Sequence, residues 1–265
     1  MKQKNRPFYG KTEAEKELFQ RLCALEGRYR ISDVFRDFLQ YCAHFVSNLV
    51  DGVHRQERRE VLEELNRKYD GRFNFQECLQ LLARAMQENQ ECGELRDVLG
   101  TIFEAIGLSN ERNGQFFTPE NISRMMAKMM IGDKVQELQE KPYIMVSDPC
   151  IGSGRMLLAF ANELQEMGYN YCEKMAALAV DVDMTCVFMS YIQLSLYGVP
   201  ALVVHGNSLT VEEWSRWYTP AYVWGGWVFR QNLSITDRIP EDDLKLQELQ
   251  KTELLNVLAE LDKVS

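Results

Sequence analysis

Between residues 143 and 205 the chain alternates short apolar runs with amphipathic stretches, and few folds accommodate that order. Residues 143–148 read as a buried strand. Residues 153–167 read as a helix, with Met156, Leu157, Phe160 and Leu164 turned inward. Residues 177–181 form a second apolar run, 184–196 a second helix and 201–205 a third strand. Such runs, separated by segments long enough to cross back over a sheet, give parallel strands joined by right-handed crossovers. After Asn207 the alternation stops. The aromatic stretch 222–229 is a candidate for one more strand, and 241–261 reads as a charged amphipathic helix with Leu254, Leu258 and Leu261 on one face.

The first 110 residues carry helical periodicity throughout and no strand signal. Val34, Phe35, Phe38, Leu39, Cys42, Phe45, Val46 and Leu49 make a wide apolar stripe, with Ser32 or Asp33 as its cap. Leu18, Leu22 and Leu25 mark a helix before it. A short third helix is expected around Val61, Leu62 and Leu65, and a fourth around Leu79, Leu82 and Met86. A fifth spans Leu95 to Ile106 and is stopped by Gly107. Thr118-Pro119 reads as a helix start, and Ile122, Met125, Met126 and Met129 then line a face expected to be core. The expected organisation is a helical N-terminal domain over 1–110, an α/β domain over 111–240 and a C-terminal helix over 241–265.

Composition narrows the function. The chain has 265 residues and a net charge of −9, and only its first 60 residues are mildly basic. A stand-alone nucleic-acid binder shows a basic footprint instead. The seven cysteines include no C-x-x-C pair and the three histidines are scattered, so no metal site is expected. Widely spaced thiols fit a reducing, cytoplasmic setting. With neither a long apolar run nor a leader-like N-terminus, neither a membrane span nor a signal peptide is expected.

The residues suited to chemistry lie at Asp148-Pro149-Cys150-Ile151-Gly152-Ser153-Gly154, between the first strand and its helix. Glycines there let backbone N–H groups approach a ligand. Asp181 ends the next strand, where nucleotide folds bind ribose hydroxyls. The turn is neither G-x-G-x-x-G nor a phosphate loop. An adenosyl ligand fits the pattern better than a triphosphate.

Gly114-Gln115-Phe116-Phe117-Thr118-Pro119, followed by Asp148-Pro149 and Gly152-Ser153-Gly154, resembles the N6-adenine DNA methyltransferases that form the modification subunits of type I restriction-modification systems. Asp97–Glu104 is similar to that family's helical lead-in, Ala179–Asp183 to its second motif and His205–Leu209 to its third. The resemblance covers roughly residues 30–210. It implies a partial Rossmann-like methyltransferase domain with S-adenosylmethionine as cofactor. Phe117 and Thr118 would contact the methionine end, with Asp148, Gly152 and Gly154 forming the turn beneath it. Asp181 would bind the ribose, and Asn207 stands in place of an aspartate that contacts adenine.

The family's catalytic tetrapeptide, Asn/Asp-Pro-Pro-aromatic, has no counterpart, because no Pro-Pro occurs in the chain. No catalytic residue is therefore assigned. Three readings follow: a working adenine methyltransferase with an unrecognised or partner-supplied catalytic loop, a protein that binds the cofactor without transferring methyl, or an interaction protein keeping only the fold. A sheet that stops after three or four strands leaves an edge to be covered, so a homo-oligomer or hetero-complex is expected, with partner subunits as the route to DNA. The crowd of Trp214, Trp217, Tyr218, Tyr222, Trp224 and Trp227 is either a base-stacking platform or, the preferred reading, cover for a sheet edge or subunit interface.

Overall fold

The computed structural model describes residues 8, 10–70, 73–108, 117–132 and 135–230. Its N-terminal part is helical, as expected: α1 (Glu13–Cys23), α2 (Ile31–Ser47), α3 (Arg55–Lys68), α4 (Phe75–Glu91) and α5 (Val98–Ala105). Three boundaries differ from the sequence reading, one being that of α5, which starts at Val98 after its cap Asp97 and not at Leu95. Helix α2 starts at Ile31 after Arg30, so Ser32 and Asp33 lie in its first turn and do not cap it. Helix α3 has 14 residues rather than a short apolar core, because its charged first half carries no hydrophobic signal.

Two further helices follow, α6 (Glu120–Gly132) and α7 (Val135–Glu140). The first helical hydrogen bond of α6 runs from Ser123 N–H to the Pro119 carbonyl, so α6 begins one residue later than Thr118-Pro119 suggests. Its methionine stripe is not core. Ser123, Ala127 and Ile131 are its buried positions, while Ile122, Met125, Met126, Met129 and Met130 are exposed. The periodicity was helical, but hydrophobicity alone assigned the wrong face inward. The residues that face the protein are mostly small.

The α/β part consists of β1 (Ile144–Asp148), α8 (Arg155–Glu166), α9 (Tyr171–Lys174), β2 (Met175–Asp181), α10 (Met184–Leu196), β3 (Ala201–Asn207) and β4 (Glu212–Tyr218). Strand order is β1-β2-β3-β4. The first three strands are parallel, with Asp148 opposite Ala179 and Asp181 opposite His205. Strand β4 returns antiparallel to β3. The fold is thus α/β with a helical N-terminal region.

Strand β4 replaces the strand expected at 222–229. Its sequence, Glu212-Glu213-Trp214-Ser215-Arg216-Trp217-Tyr218, is mostly polar, as suits a strand with one neighbour in the sheet. Residues 222–229 instead fall in α11 (Pro220–Trp224) and α12 (Trp227–Arg230). Thr219 caps α11, and Pro220 sits in its first turn, where a missing N–H costs nothing. The Thr219 hydroxyl also donates to the Val199 carbonyl at 2.9 Å and accepts from Ala201 N–H at 2.9 Å, tying the end of β4 to the start of β3.

One continuous core joins the helices to the sheet. It holds Leu18, Phe35, Phe38, Leu82 and Leu99 together with Leu157, Val187, Val146, Ala177 and Val203. Of the crowded aromatics, Trp217, Tyr222 and Trp227 are buried, whereas Trp214 and Trp224 are exposed. Trp227 packs edge-on to Tyr143, just before β1. The expected C-terminal helix at 241–261 lies outside the described residues. Among the described residues, no helix is long and apolar enough to cross a membrane, no group of side chains is arranged to hold a metal, and the cysteines are free thiols.

Trp217 is the contact through which β4 meets the N-terminal helices. The Arg58 guanidinium lies 4.5 Å over its ring, and the His44 ring meets it edge-on at 5.3 Å. Arg58 is itself ion-paired to Asp51 at 2.6 Å. Burial, and next the Arg58 charge, push the His44 imidazole down to about 4. His44 therefore stays neutral in the fold but takes a proton in the unfolded chain below its ordinary pKa. Its contribution to stability is intact at neutral pH and falls as pH drops from about 6.5 toward 4. By pH 5 the loss should reach about 2 kcal/mol. Urea unfolding at pH 7 and pH 5 should show that His44→Phe removes this share of the acid sensitivity, and an identical pH dependence in the two proteins would exclude it.

Candidate functional site

The turn after β1 is stitched to the end of β2. Cys150 N–H donates to the Asp148 carboxylate at 3.1 Å, and Ile151 N–H to the Val180 carbonyl at 2.9 Å. Gly152 N–H donates to Asp181 Oδ2 at 2.9 Å, while Asp181 Oδ1 accepts from Asp183 N–H at 2.9 Å. Both glycines of the turn are left-handed, with φ of 57° at Gly152 and 98° at Gly154. Their missing side chains serve different neighbours. A Cβ on Gly152 would lie 3.1 Å from the Phe117 ring, and one on Gly154 would lie 3.4 Å from Ser190 Cα. Gly152 thus makes room for the Phe117 ring, whereas Gly154 lets the start of α8 pack on α10.

Phe117 and Thr118 reach the turn through Arg155, the first residue of α8. The Arg155 Nη1 donates to the Thr118 carbonyl at 2.9 Å, and its guanidinium lies 5.9 Å from the Phe117 ring centre. Six of the seven expected site residues, Phe117, Thr118, Asp148, Gly152, Gly154 and Asp181, therefore gather around one turn. Asn207 stands apart at the end of β3, two residues beyond the register partner of Asp181. Its Oδ1 accepts from Leu209 N–H at 3.0 Å and Thr210 N–H at 3.3 Å, so it holds the following turn.

The turn brings two carboxyl groups, Asp148 and Asp181, into one partly buried setting. Burial raises the Asp148 carboxyl above its ordinary range, its bond from Cys150 N–H pulls it back, and the Asp181 charge raises it again. Burial likewise raises Asp181, opposed by the N–H groups of Asp183 and Gly152. Two interacting, partly desolvated carboxylates favour a ligand that brings positive charge or hydroxyl donors.

Behind the turn lies a residue set to which the sequence reading gives no role in the site. Asp97 is buried and caps α5 by accepting from Gly100 N–H at 2.8 Å. It also accepts from the Ser153 hydroxyl, from Arg155 Nε at 2.8 Å and from Gln193 Nε2 at 2.9 Å. Gln193, fully buried on α10, donates as well to the Ser153 carbonyl at 2.7 Å and accepts from Leu99 N–H at 3.1 Å. An Asp just before an apolar helical run was a legible cap signal, but nothing local to it marks the three distant donors.

The description "N-6 DNA Methylase" belongs to the family whose sequence pattern matches residues 94–248, more than half of the chain. No protein of curated function matches it in sequence. Among solved structures, a protein of Listeria monocytogenes described as a candidate class I S-adenosylmethionine-dependent methyltransferase is 15% identical, with a TM-score of 0.39 over 91% of this chain and 79% of that one. The type I restriction-modification system methyltransferase subunit of Streptococcus thermophilus is 12% identical, with a TM-score of 0.36 over 77% of this chain. The match spans 59% of that subunit's length.

The Asp97 cluster should behave as one unit. Asp97→Ala removes the buried acceptor shared by Ser153, Arg155 and Gln193 and breaks the Arg155 ion pair, and should lower stability by about 3–5 kcal/mol. Asp97→Asn keeps an acceptor but loses the ion pair, and should cost less. Chemical denaturation of both variants measures the difference, and a loss below about 1 kcal/mol for Asp97→Ala would show that the cluster is not holding the turn.

Proposed function

The chain belongs to the N-6 DNA methylase family, and on that premise we propose that it binds S-adenosylmethionine at the β1–α8 turn and does not methylate adenine by itself. The observation that carries the reading is the bond from Gly152 N–H to Asp181, with Phe117 over Gly152. It brings together the turn, the candidate ribose carboxylate and the candidate contact for the methionine end.

The residues present fit the ligand's chemistry. S-adenosylmethionine carries a sulfonium and an ammonium group, which suit the paired Asp148 and Asp181 carboxylates. Each Asp181 oxygen accepts one backbone N–H, leaving lone pairs for ribose hydroxyls. Phe117 and Thr118, held by Arg155, would cover the methionine end. Bound there, the cofactor supplies an electrophilic methyl group. The chain's own residues bind and orient it and exclude water.

For transfer, the target base must leave the duplex and have its amino group held. The proline-flanked tetrapeptide that does this in relatives of the resembled type is missing from the sequence. A net charge of −9 also disfavours independent contacts to phosphates. We therefore assign DNA engagement and transfer to a complex with partner subunits, with this chain as the cofactor-holding member.

Calorimetric titration of the purified chain with S-adenosylmethionine should give saturable heat, and Asp181→Ala should weaken binding about tenfold or more, as expected when hydrogen bonds to a charged group are lost. Absence of heat at millimolar ligand would overturn the binding reading. Incubation with labelled cofactor and mixed-sequence DNA should leave the DNA unlabelled. Label at adenine N6 would show that another segment replaces the tetrapeptide.

A further inference from the structure

Beside the candidate ribose carboxylate, the β3–β4 hairpin carries an aromatic surface that the proposed function leaves unused. The register between the two strands slips by one residue at His205/Gly206: His205 faces Ser215, and Gly206 faces Glu213. Trp214 is the extra residue. A bulge of this kind re-aims a side chain, and here it brings Trp214 onto the His205 ring, with centroids 4.7 Å apart in an edge-to-face arrangement. The hairpin is built to hold that slip. A Cβ on Gly206 would lie 2.3 Å from the Glu212 carbonyl oxygen, so only glycine allows this approach. Val211 closes the turn with φ at 60°, a costly conformation for a β-branched residue.

The location connects this device to the site. His205 is the register partner of Asp181, and its Nε2 lies 3.3 Å from the carbonyl of Val182, the residue after Asp181. Trp214 is 52% exposed and Val182 58% exposed, large apolar surfaces left in water next to a carboxylate suited to ribose. The Asn207 oxygen, by contrast, is already occupied by its own turn. The rim therefore offers a stacking surface more than an edge-on acceptor.

We infer that Trp214, steadied by His205, is the group on which the purine ring of the adenosyl ligand stacks. The inference rests on the cofactor reading above. It assigns base recognition to an aromatic face on the β4 bulge, where the resemblance alone pointed to Asn207. An aromatic face grips a base through its π-surface and the apolar area it covers.

The test uses the full chain and two ligands, S-adenosylhomocysteine and 5′-methylthioadenosine, the second lacking the amino-acid end. Calorimetry and quenching of tryptophan fluorescence report binding independently of activity. Trp214→Ala should weaken both ligands about tenfold or more, the scale of one stacked base. Trp214→Phe should stay within about threefold of wild type. Trp214→Leu keeps apolar volume without a π-face and should resemble Trp214→Ala. Thermal melts matching wild type would exclude unfolding as the cause. Wild-type binding unchanged within twofold in Trp214→Ala would overturn the inference while leaving the cofactor reading intact. Wild type binding neither ligand would overturn both.

Discussion

Four donors from three parts of the chain converge on the Asp97 carboxylate: Gly100 at the start of α5, Ser153 and Arg155 from the glycine turn, and Gln193 from α10. A buried carboxylate is tolerable only when paired and hydrogen-bonded, and its removal leaves the partners stranded. That requirement makes Asp97 the fixed point of the site. Arg155 can hold the Thr118 carbonyl because Asp97 fixes its Nε. Gln193 can hold the Ser153 carbonyl because its other bonds go to Asp97 and to Leu99 N–H. The conformation of the turn is therefore set from behind, by the helical region, as well as from the strands.

The same logic explains why the helical region and the sheet share one core. Asp97 ties α5 to α8 and α10 through polar bonds. Trp217 ties β4 to α2 and α3 through Arg58 and His44. Between these two points the contact is apolar and continuous. Burial sets the amount of stabilisation, whereas the two polar points set the register, since a buried charge accepts few alternative partners.

Much of the architecture was legible wherever local pattern and tertiary environment agreed. Helix α10 matches the span read from sequence, because its flanks carry Asp183 as cap and Gly198 after its end. The parallel strands were legible because both of their faces are covered, giving unbroken apolar runs. Strand β4 was not, because its residues alternate between a buried Trp217 and polar neighbours over only seven positions. The methionines of α6 misled for the opposite reason. Hydrophobicity reports affinity for a core, but small Ser123 and Ala127 are what the protein actually buries there. Within the site, the turn and Asp181 could be read from spacing. The role of Asp97 could not, since three of its four donors lie 56 to 96 residues away along the chain. Asn207 is ambiguous in sequence for a third reason: an Asn suits a ligand contact and equally the capping of its own turn, and in this fold its oxygen caps that turn.

These constraints separate two tasks that a methyltransferase performs together. In the cofactor reading proposed above, the turn, the candidate ribose acceptor Asp181 and the candidate stacking surface Trp214 all reside between β1 and β4 and are held by contacts within the chain. Preorganisation of that kind reduces the ordering cost of binding. Holding a flipped target base needs a further polar group opposed to the methyl donor, and no sequence element here matches the proline-flanked form. The outer edge of β1 has no strand partner among the described residues. The bonds that fix the turn come from the cap of α5, from α10 and from β2, so the turn keeps its shape whatever segment pairs with the outer edge of β1.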